Sequence, residues 1–146
     1  MKKTVALLLT LLLLFSLAAC AGKGGDDGDA PGITEGAKVD VGESALYTEE
    51  ERLAAAEAVK AKFAELNGCK LNSLTFSGDE RCEKELESLK TRDDVKDATA
   101  CIVFDSSFRS PKNGGGAWEA NEVYTWSWMV ARTAAGAWEV VNYGYA

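Results

Sequence analysis

The chain has 146 residues, 47% hydrophobic and 27% charged, which suits one globular domain and leaves no room for two of ordinary size. A formal net charge of −7 with no basic stripe argues against nucleic acid as a partner and against electrostatic docking on anionic lipid. The absence of histidine excludes Ser-His-Asp and Cys-His mechanisms and most zinc and iron sites, leaving carboxylate, Tyr, Lys, Cys or Ser-Lys chemistry.

At the N-terminus, Met1-Lys2-Lys3-Thr4 is a short basic segment, residues 5–17 are almost wholly apolar, and Leu17-Ala18-Ala19-Cys20 follows. The apolar run is too short to span roughly 30 Å of hydrocarbon as a permanent helix, so residues 1–19 read as a secretory signal peptide. The tetrapeptide resembles the bacterial lipobox. That resemblance implies a diacylglyceryl thioether on Cys20, which becomes the first residue after cleavage, and a lipid-anchored protein on the extracytoplasmic face of the cell membrane. Two acyl chains of palmitate length hold stably where one is marginal, each buried CH₂ contributing about 0.8 kcal/mol. Removing Lys2 and Lys3 with the signal leaves 14 basic against 23 acidic groups, a net −9.

Seven of the fourteen glycines fall in residues 22–42, interspersed with Asp26, Asp27 and Asp29. Such a run buries no apolar surface, and residues 20–45 are expected to form a solvated tether to a domain over residues 46–146. The aspartates lack the ligand spacing and terminal Glu of a calcium loop, and no metal site or other cofactor is expected.

Within the domain, Thr48 with Glu51 three residues on predicts a capping box opening a helix. Leu53, Ala56, Val59, Phe63 and Leu66 recur at helical spacing as its apolar stripe, and Asn67-Gly68 closes it. Residues 69–77 predict a strand of imperfect alternation. Ser77-Gly78-Asp79-Glu80 predicts a second cap, and residues 80–90 a charged helix anchored by Leu86 and Leu89. Cys101-Ile102-Val103-Phe104 is a short run of β-type residues, and residues 112–116 are a glycine-rich loop. The last thirty residues predict a long hairpin. Tyr124, Trp126, Trp128 and Val130 share one face, Thr125, Ser127, Met129 and Ala131 the other, and residues 133–136 make the turn. The order of elements gives an α+β architecture.

Several of these segments together resemble a known group. They are Tyr47-Thr48-Glu49-Glu50, Gly68-Cys69-Lys70-Leu71, the run from Ile102 to Phe108, the alternation Tyr124, Trp126, Trp128, Val130, Arg132, and the ending Trp138-Glu139-Val140 with Gly144-Tyr145. They are similar to small lipoproteins of Gram-positive gut bacteria whose domain resembles the nuclear-transport-factor-2-like, or cystatin-like, fold. The resemblance covers about residues 46–146. It implies a long N-terminal helix packed on a curved, mainly antiparallel sheet, and it implies no activity.

Enzymes on that fold place a carboxylate and a tyrosine inside the cone of the sheet, for which Asp105, Glu122, Glu139 and Tyr124 are the candidates here. Trp126, Trp128, Tyr124 and Asp105 form the expected ligand-binding set, with the competing expectation that the tryptophans pack as core. Arg132 is placed to stack on Trp128 or Trp138. With Cys20 lipidated, Cys69, Cys82 and Cys101 remain; the expected pair is Cys82–Cys101, leaving Cys69 free and buried. The reading that follows is a non-enzymatic module binding an envelope protein or a small ligand. The alternatives are an enzyme working in the cone and a small-ligand capture protein.

Overall fold

The computed structural model describes residues 29–145. The expected signal peptide, Cys20 and the first part of the expected tether lie outside the described residues. Five strands and two helices follow in the order β1 (Lys38–Asp40), α1 (Glu49–Phe63), β2 (Lys70–Phe76), α2 (Asp79–Leu89), β3 (Ala100–Arg109), β4 (Val123–Arg132) and β5 (Trp138–Gly144). The strands form one open mixed sheet in the order β1-β2-β3-β4-β5, in which β1 runs parallel to β2 and every other pair is antiparallel. The architecture is α+β, with α1 on one face of the sheet and α2 on the other.

Helix α1 starts where its cap predicts. The Thr48 hydroxyl accepts from the Glu51 N–H, and the Glu51 carboxylate accepts from the Thr48 N–H. Its buried stripe is Arg52, Ala55, Ala56, Val59 and Phe63, whereas Leu53 is 45% exposed. The predicted stripe is therefore displaced at its first turn, and Arg52 takes the buried place expected of Leu53. The reason lies in the segment before the helix. The Arg52 guanidinium donates to the carbonyls of Val41 (2.7 Å), Gly42 (3.0 Å) and Tyr47, and lies 5.8 Å from the Phe76 ring.

The tether expectation changes most. Residues 30–45 pack on the domain: the Gly32 N–H donates to Ala64 O, Ile33 bridges to β2 through Cys69 and Leu71, and β1 pairs Val39 with Leu74. The folded unit thus begins near Ala30 rather than Leu46, and a strand precedes α1. Glycine composition suggested a linker because most contacts that order this stretch, to Ala64, Cys69, Leu74 and Asp79, are with residues thirty or more positions away. Gly32 itself is required, since a Cβ there would lie 2.5 Å from the Phe63 carbonyl oxygen.

The imperfect alternation of β2 has a specific cause. Its register slips between Leu71 and Ser73, a bulge that lets Leu71 and Leu74 both face α1 although they are three positions apart. Helix α2 begins at Gly78 with φ of 92° and without a side-chain cap. Ser77, the expected capping group, instead donates to the Asp105 carboxylate at 2.8 Å.

The main core lies between α1 and the sheet: Phe63, Val59, Leu71, Leu74, Ile102, Phe104, Phe108, Trp128 and Val130 are fully buried. A smaller core on the other face joins Cys82 and Leu89 of α2 to Cys101, Val103 and Ala131. Arg132 stacks on Trp138, 5.4 Å from the ring, and is held there by Glu51 at 2.8 Å. Among the described residues no helix is long and apolar enough to cross a membrane.

Candidate functional site

Strand register decides which of the expected site residues meet. On β3, Phe104 and Ser106 pair with Trp128 and Trp126 of β4, while Asp105 between them pairs with Ser127. Successive side chains of a strand point to opposite faces. Asp105 is consequently separated from the tryptophans by the thickness of the sheet. It accepts from the Ser127 and Ser77 hydroxyls on the α2 face and is exposed. The expected set of Trp126, Trp128, Tyr124 and Asp105 therefore splits into three aromatics on the α1 face and a carboxylate on the opposite one. The sequence held the signal for this, because Ile102 and Phe104 facing inward oblige Asp105 to face outward.

The other two carboxylate candidates do not join the tryptophans either; Glu139 also borders a shallow cleft with Ala58, Ala61 and Lys62 of α1. Glu122 is exposed in the turn before β4, where its N–H and C=O both bond Ser110. Glu139 pairs with Ala131 and lines a small cleft of about 150 Å³ on the α2 side. The Tyr124 hydroxyl accepts from the Glu119 N–H at 3.0 Å, which fixes the ring without a carboxylate partner. Among the described residues, none of these three carboxylates is paired with Tyr124 within the sheet.

The three aromatics instead join a larger ring cluster. Trp128 is fully buried, 6.2 Å from Phe63 and stacked on Tyr143 at 5.0 Å and 20°. Its indole N–H donates to Ser106 Oγ at 2.8 Å, and that hydroxyl donates on to the Trp126 carbonyl. Trp126 sits at the centre of the cluster, 5.1 Å from Phe108 and 5.4 Å from Trp118. Its own Nε1 is buried and has no hydrogen-bond partner among the described residues. Toward solvent the cluster ends in Tyr143, 41% exposed, and Tyr145, 75% exposed, both against Trp126. The cluster is thus solid core where α1 covers it and an open aromatic surface beyond the helix.

Trp118 is the member that sequence reasoning missed, since it follows a glycine run and belongs to no periodic pattern. The loop that presents it is firmly built. The Gly115 and Trp118 backbones exchange hydrogen bonds, Gly114 donates to Pro111 O, and Ser110 Oγ donates to Glu119 O. Gly114, at φ of 66°, passes so close to Trp118 that a Cβ would lie 2.7 Å from its carbonyl oxygen. Between this loop and the turn after α1 lies a cleft of about 400 Å³, with Trp118 on one wall and Glu65 and Asn67 on the other.

The expected Cys82–Cys101 disulfide is not formed: Cys69, Cys82 and Cys101 are free, buried thiols. Strand β2 ends opposite Phe104, so the Val103 N–H has no strand partner on that side, and Cys82 Sγ accepts it at 3.3 Å. Burial pushes the Cys82 thiol up to about 11 and the Cys101 thiol up to about 12. The folded chain therefore keeps protons that the unfolded chain releases from its ordinary thiol value of 9.0 upward. This part of the stability is complete below pH 9 and is lost as the pH rises toward 12. Thiol counting on full-length Cys20→Ser protein, unfolded without reductant, should find all three cysteines reactive, and none in the native protein at neutral pH. One free thiol in the unfolded state would restore the disulfide.

Among the described residues no cluster of His, Cys, Asp or Glu is placed to hold a metal ion. Comparison with protein-family models, with curated proteins and with solved structures finds no match for this chain.

Proposed function

We propose that this chain is a lipoprotein, anchored through Cys20 on the extracytoplasmic face of the cell membrane, whose domain is a non-enzymatic binding module. The observation that carries the module reading is the aromatic cluster, filled by Phe63, Phe108 and Trp128 beneath α1 and running outward to exposed Tyr143 and Tyr145. A catalytic cone needs the opposite arrangement, an open interior with a carboxylate facing in. Exposed aromatic rings joined to a buried, rigid cluster suit binding, because little side-chain freedom is lost when a partner covers them. The finer fold reading, nuclear-transport-factor-2-like or cystatin-like, belongs to the same proposal. It is supported by α1 lying across the antiparallel strands β2 to β5. The anchor reading is supported by the basic segment, apolar run and Leu17-Ala18-Ala19-Cys20 occurring in the order that a lipoprotein signal requires.

Cell fractionation with a clickable palmitate analogue tests the anchor. The wild-type chain should be labelled and enter the detergent phase, and Cys20→Ser should be unlabelled and leave the membrane fraction. Cys20→Ser protein that still partitions into detergent would overturn the anchoring.

A further inference from the structure

We infer that the cleft between Trp118 and the turn after α1 is a binding site for an uncharged, β-linked hexopyranose, with the Trp118 ring as the stacking platform. The inference deepens the binding-module reading and rests on it. Three observations lead there.

The first is that Trp118 is partly exposed yet immobilised. Its loop is closed by the Gly115–Trp118 backbone pair, and its ring is wedged 5.0 Å from Tyr124 and 5.4 Å from Trp126. A ring held in that way presents a flat apolar face at low entropic cost. The second is the polar remainder of the lining, Asn67, Asp29 and Glu65, the last with one carboxylate oxygen taken by Lys62 at 2.6 Å and the other left to accept. Carboxylate and carboxamide groups accept and donate to vicinal hydroxyls in pairs.

The third is size and balance. A volume of about 400 Å³ lies within the range of small-ligand sites. Besides Trp118, Leu66 and Pro111 are the apolar side chains of the lining, too few to anchor an apolar peptide.

These features divide as a pyranose does. A hexopyranose whose substituents and linkages are equatorial carries C–H bonds on its flat faces and hydroxyls around its rim. The faces match an indole, and the rim matches the polar wall. Asp29 disfavours an anionic sugar, as does the net charge of −7, whereas the charge of Glu65 is offset by Lys62 at 2.6 Å.

The test uses the full-length lipidated protein in a detergent without a sugar headgroup, titrated with cellohexaose, chitohexaose and, as the anionic control, an oligogalacturonate. Tryptophan fluorescence and calorimetry should show saturable binding of at least one uncharged oligosaccharide and none of the oligogalacturonate. Trp118→Ala should weaken that binding about tenfold, while Leu53→Ala, on the solvent side of α1, should leave it unchanged.

Should Trp118→Ala lose its folded circular-dichroism signal, Glu65→Gln and Asn67→Ala on the opposite wall take its place and should each weaken binding. Absence of saturation by either uncharged hexasaccharide up to about 10 mM would overturn the inference. So would unchanged binding in the wall variants, or tighter binding of the oligogalacturonate. Failure here with Cys20 lipidation intact would sink the sugar site alone, whereas detergent-phase partitioning of Cys20→Ser would sink the anchor and leave the titration standing.

Discussion

Trp128→Ala should lower the stability of the folded chain by about 3–5 kcal/mol, seen as a lower urea midpoint at unchanged slope. The side chain is fully buried, opposite Phe104 on β3 and Tyr143 on β5 and beneath Phe63 of α1. Its removal leaves a cavity at the point where the sheet and the helix share their largest rings, and the close stacking of Tyr143 prevents simple collapse. A polar loss adds to the apolar one. Ser106 Oγ accepts from the Trp128 indole and donates to the Trp126 carbonyl, so its buried acceptor capacity loses its donor. Trp128→Phe separates the two effects, restoring much of the packing but not the hydrogen bond, and should cost less than half as much. Stability close to wild type in Trp128→Ala would move this ring out of the core.

Arg52→Met should be the next most damaging, at about 3 kcal/mol, although it exchanges a charged side chain for an apolar one of similar length. A single guanidinium binds three carbonyls, those of Val41, Gly42 and Tyr47, and so fixes the connection between β1 and α1. The same connection is tied from α2, where the Asp79 carboxylate accepts from the Ser44 hydroxyl and the Ala45 N–H. Methionine fills the space but offers no donor, so the three carbonyls must find water or remain unpaired. Limited proteolysis should then open the chain at residues 41–47 before global unfolding, and thermal denaturation should show the loss. A cost below about 0.5 kcal/mol would mean that solvent satisfies those carbonyls without help.

Local pattern and long-range structure divide cleanly in this chain. The capping box at Thr48 and Glu51, the start of α1, the strand at β2 and the terminal hairpin were all legible in the sequence. Each depends on residues within a turn or two, or on a two-residue alternation that one buried face imposes. The placement of Tyr124, Trp126 and Trp128 on a common face followed from the same alternation, and α1 covers that face.

What lay beyond local pattern needed partners distant in the chain. Residues 38–40 carry no strand signal of their own and become β1 because Leu74 and Thr75 of β2 offer them a parallel edge. Arg52 takes a core position because carbonyls ten residues upstream demand a donor, and periodicity registers only that a buried position exists, not what chemistry fills it. Trp118 joins the aromatic cluster from a glycine loop, where no period exists to read.

By itself, then, the sequence determined the order and type of the main elements, the capping of α1 and the shared face of the hairpin aromatics, all set by short-range geometry and burial of one face. Tertiary structure alone decided that Arg52 takes a core position, that Cys69, Cys82 and Cys101 stay unpaired, and that Trp118 walls a polar cleft. Those outcomes turn on strand register and loop docking, in which a shift of one residue reverses every side chain at no visible cost to the local pattern.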